Sequence, residues 1–315
     1  MPNKKSPEYI GRVLFLHGFT QSSSVFYAKT SALRKKLKSL KYQSVYLNAP
    51  FNLTPSQLPS SDALSKFNSV AAEPDEDTNY RAWWFKDAEG KVKLDDAIST
   101  IRQYIDNGTI LPGSPEDEKI KADHLAELGS HDSGTSGNTS ASDSPDAASS
   151  ESSASAKASG SLNSPPIVGI IGFSQGACLG GALVEKFEAT FGVPLKFAIL
   201  YSGFKLDTKL MPEYSSFYTN DDGESTKTRL LHVIGELDTI VGDDRAYTLY
   251  DISKKNSHVL KHPGGHFVPN SKLMVNQVTN WIQSLDMEEK KPQDTDKGIE
   301  WELDQLTAAV DKLGK

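Results

Sequence analysis

Six short runs of apolar and β-branched residues recur along the chain, at 12–16, 44–47, 167–171, 196–201, 229–234 and 258–261. Between them lie segments whose apolar positions return every three or four residues, at 25–40, 94–105, 177–191, 243–255 and 270–285. In the first of these, Leu33, Leu37 and Leu40 mark a buried face, while Arg34, Lys35, Lys36 and Lys38 mark a wet one. Strands that alternate with helices predict an α/β fold: a three-layer sandwich with a mostly parallel sheet of about six strands.

Two stretches break this rhythm. Residues 51–93 carry several prolines and then the aromatic cluster Trp83-Trp84-Phe85, which reads as a cap over a pocket at the carboxyl ends of the strands. The second is an insertion over about 110–164. From Gly129 to Ser164 it is made of Ser, Ala, Gly, Asp and Thr with almost no large apolar residue, so it cannot offset its ordering entropy and is expected to be disordered. A short helix over 116–128 precedes that part. The segment ending near Asn107 and the strand from Pro166 are consecutive members of one alternating series, so 1–285 is read as a single domain interrupted by the insertion. The tail, 286–315, is highly charged, with an amphipathic helix predicted over 299–313.

Composition narrows the function classes. The net charge of -7 comes without one long basic tract, which argues against a nucleic-acid partner. Residues 1–9 are polar and charged, and the apolar stretch that follows is only Val13 to Leu16, so no signal peptide or transmembrane segment is expected and the chain reads as a cytoplasmic protein. The single cysteine, Cys178, excludes an internal disulfide and falls where packing is the simpler role. Nothing in the pattern calls for a cofactor or a metal.

The candidate chemistry begins at Gly172-Phe173-Ser174-Gln175-Gly176, which follows directly on the run 167–171. A serine between two glycines, at the turn from a strand into a helix, is the nucleophile-elbow pattern: the turn is sharp, and side chains at the flanking positions would collide. A serine hydroxyl needs a base within hydrogen-bond reach and an acid to orient that base. With this elbow the acid and base follow in the order Ser, Asp or Glu, His. Asp238, just beyond the run 229–234, is the leading acid, ahead of Glu236, Asp243 and Asp244. Of the seven histidines, His17, His124, His131 and His232 precede the acid, and His258 begins the last strand at its inactive end. His266 is the leading base, with His262 as the alternative, and Gly264 and Gly265 are read as hinges that carry His266 over the elbow. The oxyanion donors are expected to be the backbone N–H groups of Gln175 and of Phe19, in the loop after the first strand.

Six motifs in order, His17-Gly18-Phe19, Asn48-Ala49-Pro50, Arg81-Ala82-Trp83-Trp84, Gly172 to Ala177, Asp238-Thr239-Ile240-Val241 and His262 to His266, resemble the fungal family of serine hydrolases. The resemblance covers about 12–285. It implies an α/β-hydrolase whose triad falls on Ser174, Asp238 and His266, and a carboxylesterase acting on a small-molecule ester. The Ser-rich insertion and Gly242, where many members have proline, depart from the family pattern. Trp83, Trp84, Phe85 and Phe26 are the candidate pocket residues. The same attack serves thioesters and lysophospholipids, and a binding or scaffold module without catalysis is the alternative from another class.

Overall fold

Strand β1 (Gly11–Leu16) lies between β2 (Tyr42–Leu47) and β5 (Ile167–Phe173), and the sheet continues through β6 (Phe197–Tyr201), β7 (Arg229–Gly235) and β8 (Ser257–His262). This computed structural model describes residues 9–58, 79–129, 164–219 and 226–290. All five pairings in the order β2-β1-β5-β6-β7-β8 are parallel, with Leu14 opposite Val45 on one side and Ile170 on the other. Central strands of such a sheet are covered on both faces, which is why 167–171 and 196–201 read as continuous apolar runs and not as alternations. Ile170, Ile171, Ile199 and Leu200 are fully buried, and each such side chain contributes about 1.5–3 kcal/mol of burial.

The chain divides into two compact units, Met1–Ser271 and Lys272–Lys315. In the first, α1 (Ser23–Lys29) and α2 (Ser31–Ser39) connect β1 to β2. Later connections carry α3 (Asp95–Asn107), α4 (Pro115–Gly129), α5 (Gln175–Leu183), α6 (Phe187–Phe191) and α7 (Asp243–Tyr250). The path runs from β1 outward to β2, then returns past β1 to β5 and proceeds the other way. Right-handed crossovers therefore place α1 and α2 on one face of the sheet and α3, α5 and α7 on the other. One large core joins Leu14, Leu16, Ile170 and Leu200 to Ile101 of α3 and Leu179 of α5. The opposite face packs Phe15 against Phe26 and Tyr46. In the second unit α8 (Lys272–Lys290) buries Val275, Val278, Ile282 and Leu285 at helical spacing.

Several boundaries differ from the sequence expectation for local reasons. The segment 25–40 is two helices because Thr30 leaves helical geometry (φ −105°, ψ 18°). Its hydroxyl bonds the Phe26 carbonyl at 2.7 Å and Tyr46 Oη at 2.7 Å, fixing the break. The insertion over about 110–164 begins with helix α4, whose range takes in the short helix expected over 116–128. Its anchor is Asp117, a buried carboxylate that accepts from Ser23 Oγ at 2.6 Å and Asn79 Nδ2 at 2.7 Å. Such long-range pairs are invisible to composition. Most of the Ser-rich stretch, 130–163, lies outside the described residues, as does the helix expected over 299–313. The region read as a cap contributes a two-stranded antiparallel pair, β3 (Phe51–Asn52) with β4 (Arg81–Ala82). No helix among the described residues is long and apolar enough to cross a membrane.

Candidate active site

Strand order reverses between β1 and β5, and in open α/β sheets the crevice outside the carboxyl ends of such neighbours is where ligands bind. Ser174 stands there, directly after β5. Its backbone has φ 50° and ψ −112°, a left-handed value that a serine adopts only under constraint. The flanking glycines are required by contact. A Cβ on Gly172 would lie 2.6 Å from Ala177 Cα, and one on Gly176 would lie 2.1 Å from the Leu16 carbonyl oxygen. Gly176 thus lets the start of α5 press against the end of β1.

The loops after β7 and β8 bring the other two groups to the serine. His266 Nε2 is 2.9 Å from Ser174 Oγ, and His266 Nδ1 is 2.8 Å from Asp238 Oδ2. All three residues are buried. These contacts define the tautomer: Nδ1 carries the proton and donates to the carboxylate, leaving Nε2 to accept from the serine hydroxyl. Asp238 Oδ1 accepts the backbone N–H groups of Ile240 at 2.9 Å and Val241 at 2.8 Å. Oδ2 also accepts from Ser202 Oγ at 2.7 Å. Burial pushes the Asp238 carboxyl up, but the bonds from His266, the Val241 amide and Ser202 outweigh it and hold the group below its ordinary value. The carboxylate is therefore ionised throughout the neutral range.

The two loops are tied together by main-chain bonds from Glu236 N–H to the His262 carbonyl (2.9 Å) and from Leu237 N–H to the Gly264 carbonyl (3.0 Å). Gly264 and Gly265 are not hinges in left-handed conformation: neither has positive φ. The close approaches fall at Gly264 and Gly235, while a Cβ on Gly265 would lie 3.3 Å from the Leu237 carbonyl oxygen. A Cβ on Gly264 would strike the Phe267 ring at 2.3 Å, and a Cβ on Gly235 would strike the Gly265 carbonyl at 2.5 Å. His262, the alternative base, accepts the Gly264 N–H through Nδ1 at 3.3 Å and packs against Phe267, and no bond joins it to Ser174. Glu236, Asp243 and Asp244 are exposed, and Asp243 pairs with Lys261 at 2.8 Å.

The loop after β1 is held by His17, which the sequence reading set aside as a base and did not assign a role. His17 Nε2 accepts the Ala49 N–H at 3.1 Å, so Nδ1 bears the proton and donates to the Gly18 carbonyl at 2.8 Å. Burial lowers its pKa to about 4, so it is neutral at pH 7. Gln175 was selected for its backbone, yet its side chain spans the cap segment: Oε1 accepts the Trp83 N–H at 2.8 Å and Nε2 donates to the Trp84 carbonyl at 2.9 Å. The Trp83 indole N–H in turn donates to the His17 carbonyl at 2.9 Å. Ser202 was missed altogether. Its signal was available, as a polar residue in Tyr201-Ser202-Gly203 at the carboxyl end of the strand between those bearing the serine and the acid.

A cavity of about 540 Å³ opens beside Ser174. Phe19, Trp84, Phe85, Phe204, Leu206 and Met211 form its apolar wall, and Ser174 and Gln175 also line it. Two of the expected pocket residues are elsewhere. Trp83 and Phe26 are fully buried, Trp83 in the core around α3 and α5 and Phe26 against Phe15 and Phe173 on the other face of the sheet. Trp84 is packed into the same core as Trp83 but also reaches the cavity, as does Phe85. Cys178 is fully buried in α5, and burial pushes its thiol up, away from the reactive thiolate.

The sequence profile of the family described as "Serine hydrolase (FSH1)" matches residues 8–278. The Saccharomyces cerevisiae protein "Family of serine hydrolases 3" is 31% identical over 96% of this chain and 98% of its own length. "Family of serine hydrolases 2" of the same yeast is 30% identical over 87% of this chain and 98% of its length. "Esterase OVCA2" of Danio rerio is 28% identical over 82% of this chain and 90% of its length. With an elbow serine at the switch point of a parallel sheet covered by helices and a profile match across the whole of that sheet, the chain belongs to the FSH1 family of serine hydrolases.

Proposed function

We propose that the protein is a carboxylesterase that works through an acyl-enzyme on Ser174. The observation that carries this reading is the unbroken hydrogen-bond chain from Ser174 Oγ to His266 Nε2 (2.9 Å) and from His266 Nδ1 to Asp238 Oδ2 (2.8 Å). As Ser174 Oγ bonds to the acyl carbon, its proton passes to His266 Nε2, and Asp238 stabilises the imidazolium that forms. The carbonyl π electrons move onto oxygen, which the N–H groups of Gln175 and Phe19 receive. Gln175 is the first residue of α5, where a backbone N–H has no partner within the helix. Collapse expels the alkoxide, which takes the proton from His266 and leaves as the alcohol. Water then gives its proton to His266, attacks the acyl carbon and releases the carboxylic acid, returning the proton to Ser174. The pinned tautomer of His266 is what makes both transfers run through one nitrogen. The esterase name of the Danio rerio relative supports an ester over other acyl substrates.

The test is kcat/KM on aryl and alkyl esters and acyl thioesters of graded chain length, for wild type and Ser174→Ala. Esters should be the better substrates, and Ser174→Ala should abolish their turnover. Thioester rates that exceed ester rates at every chain length would replace this reading with a thioesterase.

A further inference from the structure

The cavity wall is apolar, but the charged residues around it are lopsided. Lys86, Lys205 and Arg245 line it against one carboxylate, Asp207, in a chain whose net charge is -7. Lys86 and Arg245 are exposed and Lys205 is half-buried. Among the described residues none of the three lies within ion-pair distance of an acid: the recorded pairs there involve Lys38, Lys91, Lys121, Lys254, Lys261 and His266. Two of the cations are instead held by aromatic faces. The Arg245 guanidinium lies 3.7 Å from the centre of the Phe204 ring, and Lys205 Nζ lies 5.1 Å from that of Tyr218. Stacking of this kind fixes a cation's position without neutralising it. Asp243 pairs with Lys261 and Glu89 with Lys91, while Asp207 Oδ1 accepts the Lys209 N–H.

Resting on the ester-hydrolase reading, we propose that this site selects esters whose cavity-bound portion is an apolar chain ending in an anion. The chain lies along Phe19, Trp84, Leu206 and Met211, and its carboxylate or other anionic end meets Lys86, Lys205 and Arg245. A low-dielectric wall beside fixed cations concentrates the field where the anion arrives. Charge far from the scissile bond then adds binding without disturbing the triad.

The experiment uses matched pairs of esters at pH 8. One series pairs neutral aryl alkanoates with aryl half-esters of dicarboxylic acids of equal length. The other places the carboxylate on the alcohol side. In one series, kcat/KM for the charged ester should exceed that for the neutral one by about tenfold or more, chiefly through KM, and added salt should shrink the ratio. A Lys86→Ala, Lys205→Ala, Arg245→Ala variant should bring the ratio to about one, each charged ester being read against the variant's own kcat/KM for the matched neutral ester. Ratios at or below one in both series, with both esters cleaved, overturn the charge selection alone. So does a ratio that the triple variant leaves intact. If wild type cleaves neither ester while Ser174 still reacts with a fluorophosphonate, the ester reading falls and this proposal falls with it.

Discussion

The corner that holds Ser174, Asp238 and His266 and the cavity beside it differ in how their polar atoms are treated. In the corner both Asp238 oxygens and both His266 nitrogens have partners at 2.7 to 2.9 Å. In the cavity, the charged groups at the wall stand without ion pairs within the described structure. Buried groups that must hold one geometry are fully satisfied, since an unpaired buried atom costs about 1–3 kcal/mol and leaves orientation undefined. Groups that wait for a ligand keep their bonding capacity for it. On the reading proposed above, the first region supplies a reaction common to many acyl substrates, and the second chooses among them.

Substitutions separate the two regions. His266→Ala removes the proposed base and should lower kcat for a good ester by about 10⁴-fold or more, with little change in KM. A comparable fall in KM alone would place His266 with binding and not with chemistry.

Acid should weaken the fold before it reaches Asp238. Burial lowers the pKa of His17, His124 and His232 to about 4, whereas in the unfolded chain histidine titrates near 6.5. Between these values the unfolded state binds protons that the folded state refuses. Stability is therefore full above about pH 6.5 and declines as pH falls toward 4, by roughly 3 kcal/mol for each histidine at most. Urea midpoints measured from pH 7.5 to 4 check this, and His232→Gln should flatten part of the slope.

Gln175 links the regions, because its amide pairs the Trp83 N–H and the Trp84 carbonyl. Gln175→Ala leaves two buried backbone groups unpaired and should cost about 2–4 kcal/mol in urea unfolding. It should also raise KM, because Trp84 loses its tether. A variant as stable as wild type would show that the cap segment is held by other contacts.

Within the cavity, Trp84→Ala should raise KM for long esters about tenfold relative to short ones. Phe26→Leu, on the far side of the sheet, should lower stability by about 1 kcal/mol and leave chain-length preference unchanged. Equal effects of the two on selectivity would contradict their placement.

The smallest effect concerns Ser202. Ser202→Ala removes one of four bonds to the Asp238 carboxylate, which strengthens the carboxylate's pull on His266 while loosening its position. The expected result is a three- to tenfold loss in kcat/KM with the acidic limb of the pH profile displaced upward, and Ser202→Thr should restore part of both. A loss of rate with an unmoved limb would assign Ser202 to packing alone.

Strands β1, β5 and β6 were legible because buried parallel strands leave near-continuous apolar runs, and the elbow because its two glycines answer contacts of 2.6 and 2.1 Å. Chain order left four candidate acids after the elbow and three histidines after the acid, and position in the loops beyond the strands, with the Gly264-Gly265 turn before His266, selected Asp238 and His266 among them. What the sequence left hidden depends on pairs far apart in the chain. Helix α4 is anchored through Asp117 to Ser23, 94 positions away, and Gln175 reaches Trp83 across 92. The side of the chain on which an aromatic residue falls was equally hidden: Trp83, Trp84 and Phe26 are alike in composition, and only the path of the backbone sends one of the three to the cavity.

The central claim is that Ser174, activated by His266, forms the covalent intermediate. Labelling by a fluorophosphonate probe, read by intact mass and peptide mapping, tests it most directly. One adduct on the peptide bearing Ser174 is expected in wild type, labelling should slow by orders of magnitude in His266→Ala, and none should occur in Ser174→Ala. Unchanged labelling of Ser174→Ala, or an adduct mapped to any other residue, would contradict the account.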